Sequence, residues 1–263
     1  MNTTCRHLCI AALLWLPALT CAKGLTIWPL IAELPPGSKA VAIYLDNQSD
    51  TAQQLQIRVK QWQQLQHKDQ FSEQQTVLVS PPFVSIEPRQ RQLVRLVYLN
   101  AGQVPVLAAE QSYRVLIDDV TAVNSKTGSQ VHIRMRYSLP LFVGRPAEVP
   151  ATNDAQPFNA YWQDKIQASL QLLPDGSCKF SLQNTGPSHL RLSQVQLIAD
   201  GQPLWSAGEG LFSYLLANTE FSWTIGPEPT LQHTLTAGSQ LQLQFESYRV
   251  PLTFPVAVIS GSQ

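Results

Sequence analysis

Hydrophobicity alternating with a period of two residues runs through most of this 263-residue chain and confines it to β structure. In QQLQIRVKQW, Leu55, Ile57 and Val59 alternate with Gln56, Arg58 and Lys60. In KAVAIYLDNQ, Val41, Ile43 and Leu45 alternate before Asp46 and Asn47 open a turn. Successive strand side chains point to opposite faces, so these runs read as half-buried strands. A long run, QVHIRMRYSLPLFVGRP at 130–146, sets Val131, Ile133, Met135, Tyr137 and Leu139 on one side. His132, Arg134, Arg136 and Ser138 fall on the other. No helical periodicity lasts beyond two or three turns.

SPPFVSIEP, RQLVRLVYL and SYRVLIDDV add further extended segments, and short strands separated by turn residues point to an antiparallel sandwich. GRPAEVPATNDAQPF (144–158), with Pro146, Pro150 and Pro157, reads as a joint. Pro-rich linkers are semi-rigid, so the flanking domains are expected to keep a fixed angle. Beyond it, YWQDKIQASLQLLPDGSCKFSLQNTG reads as strand, Asp175-Gly176 turn, strand, and LRLSQVQLI, FSWTIG, SQLQLQFESY and VPLTFPVAV supply more. The expected fold is all-β, with one sandwich over 23–146 and a second over 147–263.

Lys plus Arg and Asp plus Glu each number 18, so the chain lacks the basic excess that a nucleic-acid partner calls for. A hydrophobic content of 44% fills a real core. The opening MNTTCRHLCIAALLWLPALTCAKG has Arg6, an apolar stretch from Ile10 to Leu19, and small residues at Thr20-Cys21-Ala22. This is the pattern of a secretory signal peptide, 1–22, cleaved after Ala22, and its apolar stretch is too short to span a bilayer. A lipoprotein reading through Cys21 has only the poor lead-in Ala18-Leu19-Thr20. Cys178 alone survives cleavage, so no intrachain disulfide forms, and it reads as a buried or half-buried strand residue. His67, His132, His189 and His233 have no metal-ligand spacing, and no nucleophile elbow or phosphate loop occurs, so neither metal nor cofactor is expected. Asp118 and Asp119 adjoin, but neighbours on a strand point to opposite faces and cannot form an acid/base pair. These features point away from an enzyme.

Several ordered segments together resemble one family. They are VAIYLDNQSDTAQQLQIRVKQW, with its Asn-containing turn and Trp62; SPPFVSIEPRQRQLVRLVYL, with Pro81, Pro82, Glu87, Pro88 and Arg95; SYRVLIDDV; FSLQNTGPSHLRLSQVQL; and the long strand before Arg145-Pro146. The set resembles the periplasmic pilus-assembly chaperones of the chaperone–usher pathway, over nearly the whole mature chain. The S-L-P-L-F form of the strand is similar to the archaic branch, whose clients resemble spore-coat protein U. The resemblance implies two immunoglobulin-like domains set at an angle, in an L or boomerang, in the periplasm. It implies that the strand is lent to a pilus subunit, an Ig-like fold lacking its last strand, before delivery to an outer-membrane usher. Val131, Ile133 and Met135 then fill the subunit's groove, with Tyr137 and Leu139 as extensions. A strand of this pattern packs on its own domain in an arbitrary sandwich, so the residues by themselves leave both uses open. Free sheet edges also let such a chaperone cap itself without a client.

The best-known members hold the client's terminal carboxylate with a basic residue near the chain start and a Lys on the long strand. Here Lys23 stands at the mature terminus, no basic residue follows until Lys39, and Ser138, Leu139 and Pro140 occupy the place of the strand Lys. Val94, Leu96 and Tyr98 make a core face that turns Arg95 the other way, so Arg95 is the first anchor candidate. Arg91 and Lys39 come after it, and a solvated strand arginine is the alternative. Arg145 is expected to pair across the joint with Asp118 or Asp119. A competing function is an exported two-domain adhesin or carbohydrate-binding protein, with Trp162 or Trp205 as its ligand platform.

Overall fold

In the computed structural model, which describes residues 24–99, 102–122, 134–227, 231, 233 and 240–259, the alternating segments form strands. The first half holds β1 (Leu25–Trp28), β2 (Ala32–Leu34), β3 (Ala40–Asn47), β4 (Gln53–Leu65) and β5 (Lys68–Ser72). It continues with β6 (Val77–Ser80), β7 (Phe83–Ile86), β8 (Arg91–Tyr98), β9 (Gln111–Asp119) and β10 (Arg136–Val143). One sheet has the order β1-β3-β8-β6; the other runs β2-β10-β9-β4-β5, with β7 also on β4. Leu45, Ile57, Val94, Leu96, Val115 and Ile117, inward on the two-residue period, fill the core between them. Asn47 is buried and clamps its turn. Its amide donates to the carbonyls of Thr51 (2.8 Å) and Ile86 (2.9 Å), and its Oδ1 accepts from the Ser49 N–H.

The second half opens with α1 (Ala155–Trp162), followed by β11 (Ile166–Leu172), β12 (Cys178–Asn184), β13 (Leu190–Ala199) and β14 (Gln202–Ser206). Then come β15 (Leu211–Leu215), β16 (Thr219–Ile225), β17 (Leu241–Ser247) and β18 (Val250–Ile259). These strands form one eight-stranded sheet around a second core that includes Phe180, Leu192, Leu243, Phe245 and Phe254. Helix α1 starts inside the stretch read as linker. Phe158 and Trp162, four apart, share a helix face and bury it in the second core. Pro157 is tolerated because it sits in the first turn, where no intrahelical N–H bond is lost.

A third, smaller cluster lies between the two cores. Trp62, Phe142, Tyr214 and Leu216 pack there with Ile31. Strand β4 is 13 residues long, and its far end reaches the second half. Buried Gln64 near that end donates to the Tyr214 carbonyl (2.8 Å) and accepts from the Leu216 N–H (2.9 Å). That side chain stitches the halves with bonds that water would otherwise satisfy.

Candidate functional site

Strand β10 is unequally paired. It bonds β9 along its length, from Arg136 opposite Asp118 to Val143 opposite Gln111. Its other side meets β2 only at Leu141, Phe142 and Val143. The reason is local: the chain leaves β1, which pairs with β3 in the opposite sheet, and joins β10 only from Ala32. Among the described residues, the outer edge of β10 before Leu141 therefore has no strand partner, and unpaired edge groups invite another chain.

The apolar stripe of β10 changes role along its length. Leu139 is 6% exposed in the first core, and Tyr137 packs half-buried against it. These two side chains, expected as donor residues, are committed to their own domain, because β9 holds them over its sheet. Met135 is 49% exposed, just beyond the strand, with its carbonyl accepting from the Asp119 N–H at 3.0 Å. Val131 and Ile133 lie outside the described residues. Asp118 of β9 accepts from both Arg136 and Arg58 (2.6 Å), tying β10 and β4 to β9 on the side away from the free edge. Burial alone would raise the Asp118 carboxyl, but those two guanidiniums bring it below its usual range.

The free edge runs into a cleft of about 690 Å³ whose lining includes Ser138, Leu139 and Pro140 of β10. Its charged lining residues are Arg114 from β9, Arg191 from β13 and Arg249 from the β17–β18 turn. Among the described residues, no carboxylate lines it. Tyr214 and Tyr248 complete the polar wall. Arg114 lies 3.8 Å over the Trp62 ring. Burial pulls its guanidinium below the ordinary value, while Asp69 nearby pushes back. Burial raises the Tyr214 phenol, opposed by Arg191 and Arg114.

Behind the cleft, Glu110 and His189 join the halves. Glu110 Oε1 lies 2.6 Å from His189 Nδ1, and Glu110 Oε2 accepts from the Ser188 hydroxyl at 2.9 Å. The His189 ring stacks on Phe142 with centroids 3.4 Å apart, and its Nε2 is hydrogen-bonded to the Tyr248 hydroxyl. Burial pushes the Glu110 carboxyl up, but His189 and Ser188 outweigh it and hold the carboxyl below its usual value. Burial, with Glu33 and Glu110 nearby, pushes the Tyr248 phenol well up.

The anchor residues expected from sequence lie elsewhere. Arg95 is exposed on β8, opposite Ala42 and Ser80 in the other sheet. Arg91 forms a two-bond pair with Asp46 (2.5 and 2.8 Å), and Lys39 is exposed before β3. None of the three lines the cleft. The expected ion pair of Arg145 is also replaced. Arg145 donates to the Pro150 carbonyl at 2.7 Å within the linker, Asp118 is taken by Arg58 and Arg136, and Asp119 accepts from the Thr121 N–H. Glu110 with His189 bridges the halves instead. Sequence reasoning passed over both, although a lone acid before SYRVLIDDV and a His opening the strand LRLSQVQLI were visible. Trp162 is fully buried against Phe158, and Trp205 is half-buried edge-on to Phe212, so core packing accounts for both tryptophans.

Residues 25–150 match the family described as pili and flagellar-assembly chaperone, PapD N-terminal domain. Among solved structures, a chaperone–tip adhesion subunit pre-assembly complex (CsuC-CsuE) from archaic chaperone-usher Csu pili of Acinetobacter baumannii is similar at 25% identity. The match has a TM-score of 0.65 and covers 90% of this chain and 99% of that one. The chaperone YadV has a TM-score of 0.59 at 12% identity, covering 88% and 98%. The SafB chaperone, in complex with the SafA pilin of Salmonella enterica, has a TM-score of 0.58 at 16% identity, covering 90% and 98%. These last two likenesses show the shared two-domain, Ig-like fold. Among curated protein sequences nothing matches the chain.

Proposed function

The chain belongs to the pilus-assembly chaperones of the chaperone–usher pathway and is not an enzyme, and from that premise we propose how it holds its client. The sequence that leads into β10, with Val131, Ile133 and Met135, is lent to a pilus subunit that lacks its last strand. The subunit's own edge then pairs with the free side of β10. A side chain fully covered in this way contributes roughly 1.5–3 kcal/mol before ordering costs, and half-exposed Met135 about half of that. That holds a subunit while leaving it replaceable by another strand. The subunit's terminal carboxylate enters the cleft, where Arg114 and Arg191 grip it; guanidinium suits this because two parallel bonds match a carboxylate.

The observation that carries this reading is the continuity, among the described residues, of an unpaired strand edge with a cleft whose charged lining is arginine alone. Ser138, Leu139 and Pro140 leave the strand itself without a cation there, and arginines from three distant segments supply it. The S-L-P-L-F form of β10, similar to the archaic branch, supports spore-coat-protein-U-like subunits as the clients. The working place is the periplasm, with residues 1–22 as the export signal, and the onward partner is an outer-membrane usher.

Co-expression in the periplasm with candidate subunits, followed by purification of the tagged chain, tests the proposal. Wild type should yield a one-to-one complex, and the Ile133→Asp, Met135→Asp double variant should fold and yield none. A folded double variant that retains its subunit refutes donation through this stretch. Absence of any captured subunit moves the reading toward an exported carbohydrate-binding protein, tested next by sugar binding.

A further inference from the structure

The hairpin between β17 and β18 is closed by only two residues, Tyr248 and Arg249, because Ser247 pairs with Val250. Both residues have positive φ, 54° and 69°. Two-residue connections of this kind favour Asn-Gly, since a Cβ crowds the backbone in the left-handed region. A bulky phenol and an arginine in both positions strain the turn, and strain persists only where the surroundings over-determine it. Here the surroundings are His189 of the same domain and, through it, Glu110 and Phe142 of the other. The Tyr248 hydroxyl is bonded to His189, whose other ring nitrogen meets Glu110 and whose ring stacks on Phe142.

That account explains Tyr248 but not Arg249. Arg249 makes no ion pair among the described residues; it is exposed and lines the cleft with Arg114 and Arg191. A terminal carboxylate has two oxygens, which Arg114 and Arg191 suffice to engage. The third guanidinium is left beside a wall that, among the described residues, carries no negative charge. Resting on the client-anchoring reading above, we propose that Arg249 contacts a second carboxylate, an acidic side chain in the client's terminal segment, and that Tyr248 positions it. Client choice then depends on a residue of the second domain whose placement the first domain sets through Glu110.

The test uses the full chain and the subunit that co-purifies with it, and reads the half-life of the complex. Arg249→Gly is the informative variant, because glycine adopts a φ of 69° without strain. Its melting temperature should equal or exceed that of wild type. Its complex should decay about fivefold faster at low salt, the upper end for an exposed charge pair. The difference should vanish near 1 M salt, where the Debye length is about 3 Å. Changing the acidic side chains of the subunit's terminal segment to amides should reproduce the loss in wild type and add nothing in Arg249→Gly. Tyr248→Phe should lose part of the same salt-sensitive half-life, and nothing further in the Arg249→Gly background.

Equal half-lives of wild type and Arg249→Gly at low salt overturn the assignment while leaving capture by β10 intact. A loss that persists in high salt makes Arg249 a packing residue and overturns it too. Failure of wild type to capture any subunit overturns both this assignment and the reading it rests on.

Discussion

Strand β10 should separate stability from capture one side chain at a time. Leu139 is 6% exposed in the first core, so Leu139→Ala removes buried methyl groups and leaves a cavity, at about 2–5 kcal/mol. At about 4 °C per kcal/mol for a domain of this size, the melting temperature should fall by roughly 8–20 °C. Met135 is 49% exposed and supports little of its own fold, so Met135→Ala should change stability by less than about 0.5 kcal/mol. Half of that side chain remains to be covered by a client. Full burial is worth about 1.5–3 kcal/mol, so the remaining half contributes about 0.7–1.5 kcal/mol, a roughly three- to twelvefold loss of affinity. Tyr137, half-buried between them, should lose some of both. Urea unfolding followed by tryptophan fluorescence reads the first quantity, and the half-life of the purified complex reads the second. A Met135→Ala chain destabilised by more than about 1 kcal/mol, with capture unchanged, would show that the stripe does not change role where the domain ends.

Three further tests address the joint and the second core. The ionised Glu110 carboxyl sits below its usual value, so its stabilisation is present above the carboxylate range and is lost as pH falls through the lowered value. Glu110→Gln should therefore be less stable than wild type at neutral pH, with the gap closing in acid; a pH-independent gap in urea midpoints refutes this. A Cβ at Gly186 would press into the buried Trp162 ring, so Gly186→Ala should cost about 1–3 kcal/mol in unfolding of the second domain. Cys178 is fully buried and burial raises its thiol, so thiol reagents should reach it only in urea; rapid labelling of the native chain contradicts its placement.

The strands were legible because each is written locally. Leu55, Ile57 and Val59 on β4, and Val115 and Ile117 on β9, face inward as their alternation requires. The direction of Arg114 was legible by the same count, since it lies between inward Tyr113 and Val115. What it meets was not. Arg114, Arg191 and Arg249 come from three separate strands or turns and converge only after the halves dock, so no spacing in the sequence joins them. The same holds for Glu110 and His189, 79 residues apart. Helix α1 was hidden for a different reason: Pro146, Pro150 and Pro157 punctuate its approach, and only two turns lie between Asp154 and Gln163. The division of the β10 stripe was invisible because Met135, Tyr137 and Leu139 share one face. Only the end of β9 at Asp119 decides which of them overhang.

Apolar contacts are non-directional, so burial alone does not say where along β10 a client strand should stop. Its hydrogen-bond pattern and its faces repeat every two residues, and a slip of one residue turns every side chain to the wrong side. The free edge of β10 ends in the arginine cleft at Ser138, Leu139 and Pro140. A carboxylate held there fixes the client's register as well as adding affinity. One residue appended to the subunit's C-terminus, with its carboxylate still gripped, moves the strand by about 3.3 Å and inverts its faces. The half-life of that complex should collapse. Two appended residues restore the parity and misplace a single pocket, so capture should return in part. An equal weakening by one and by two residues would mean that the cleft contributes attraction without register, and the register would then have to come from the shapes of the pockets that Val131, Ile133 and Met135 fill.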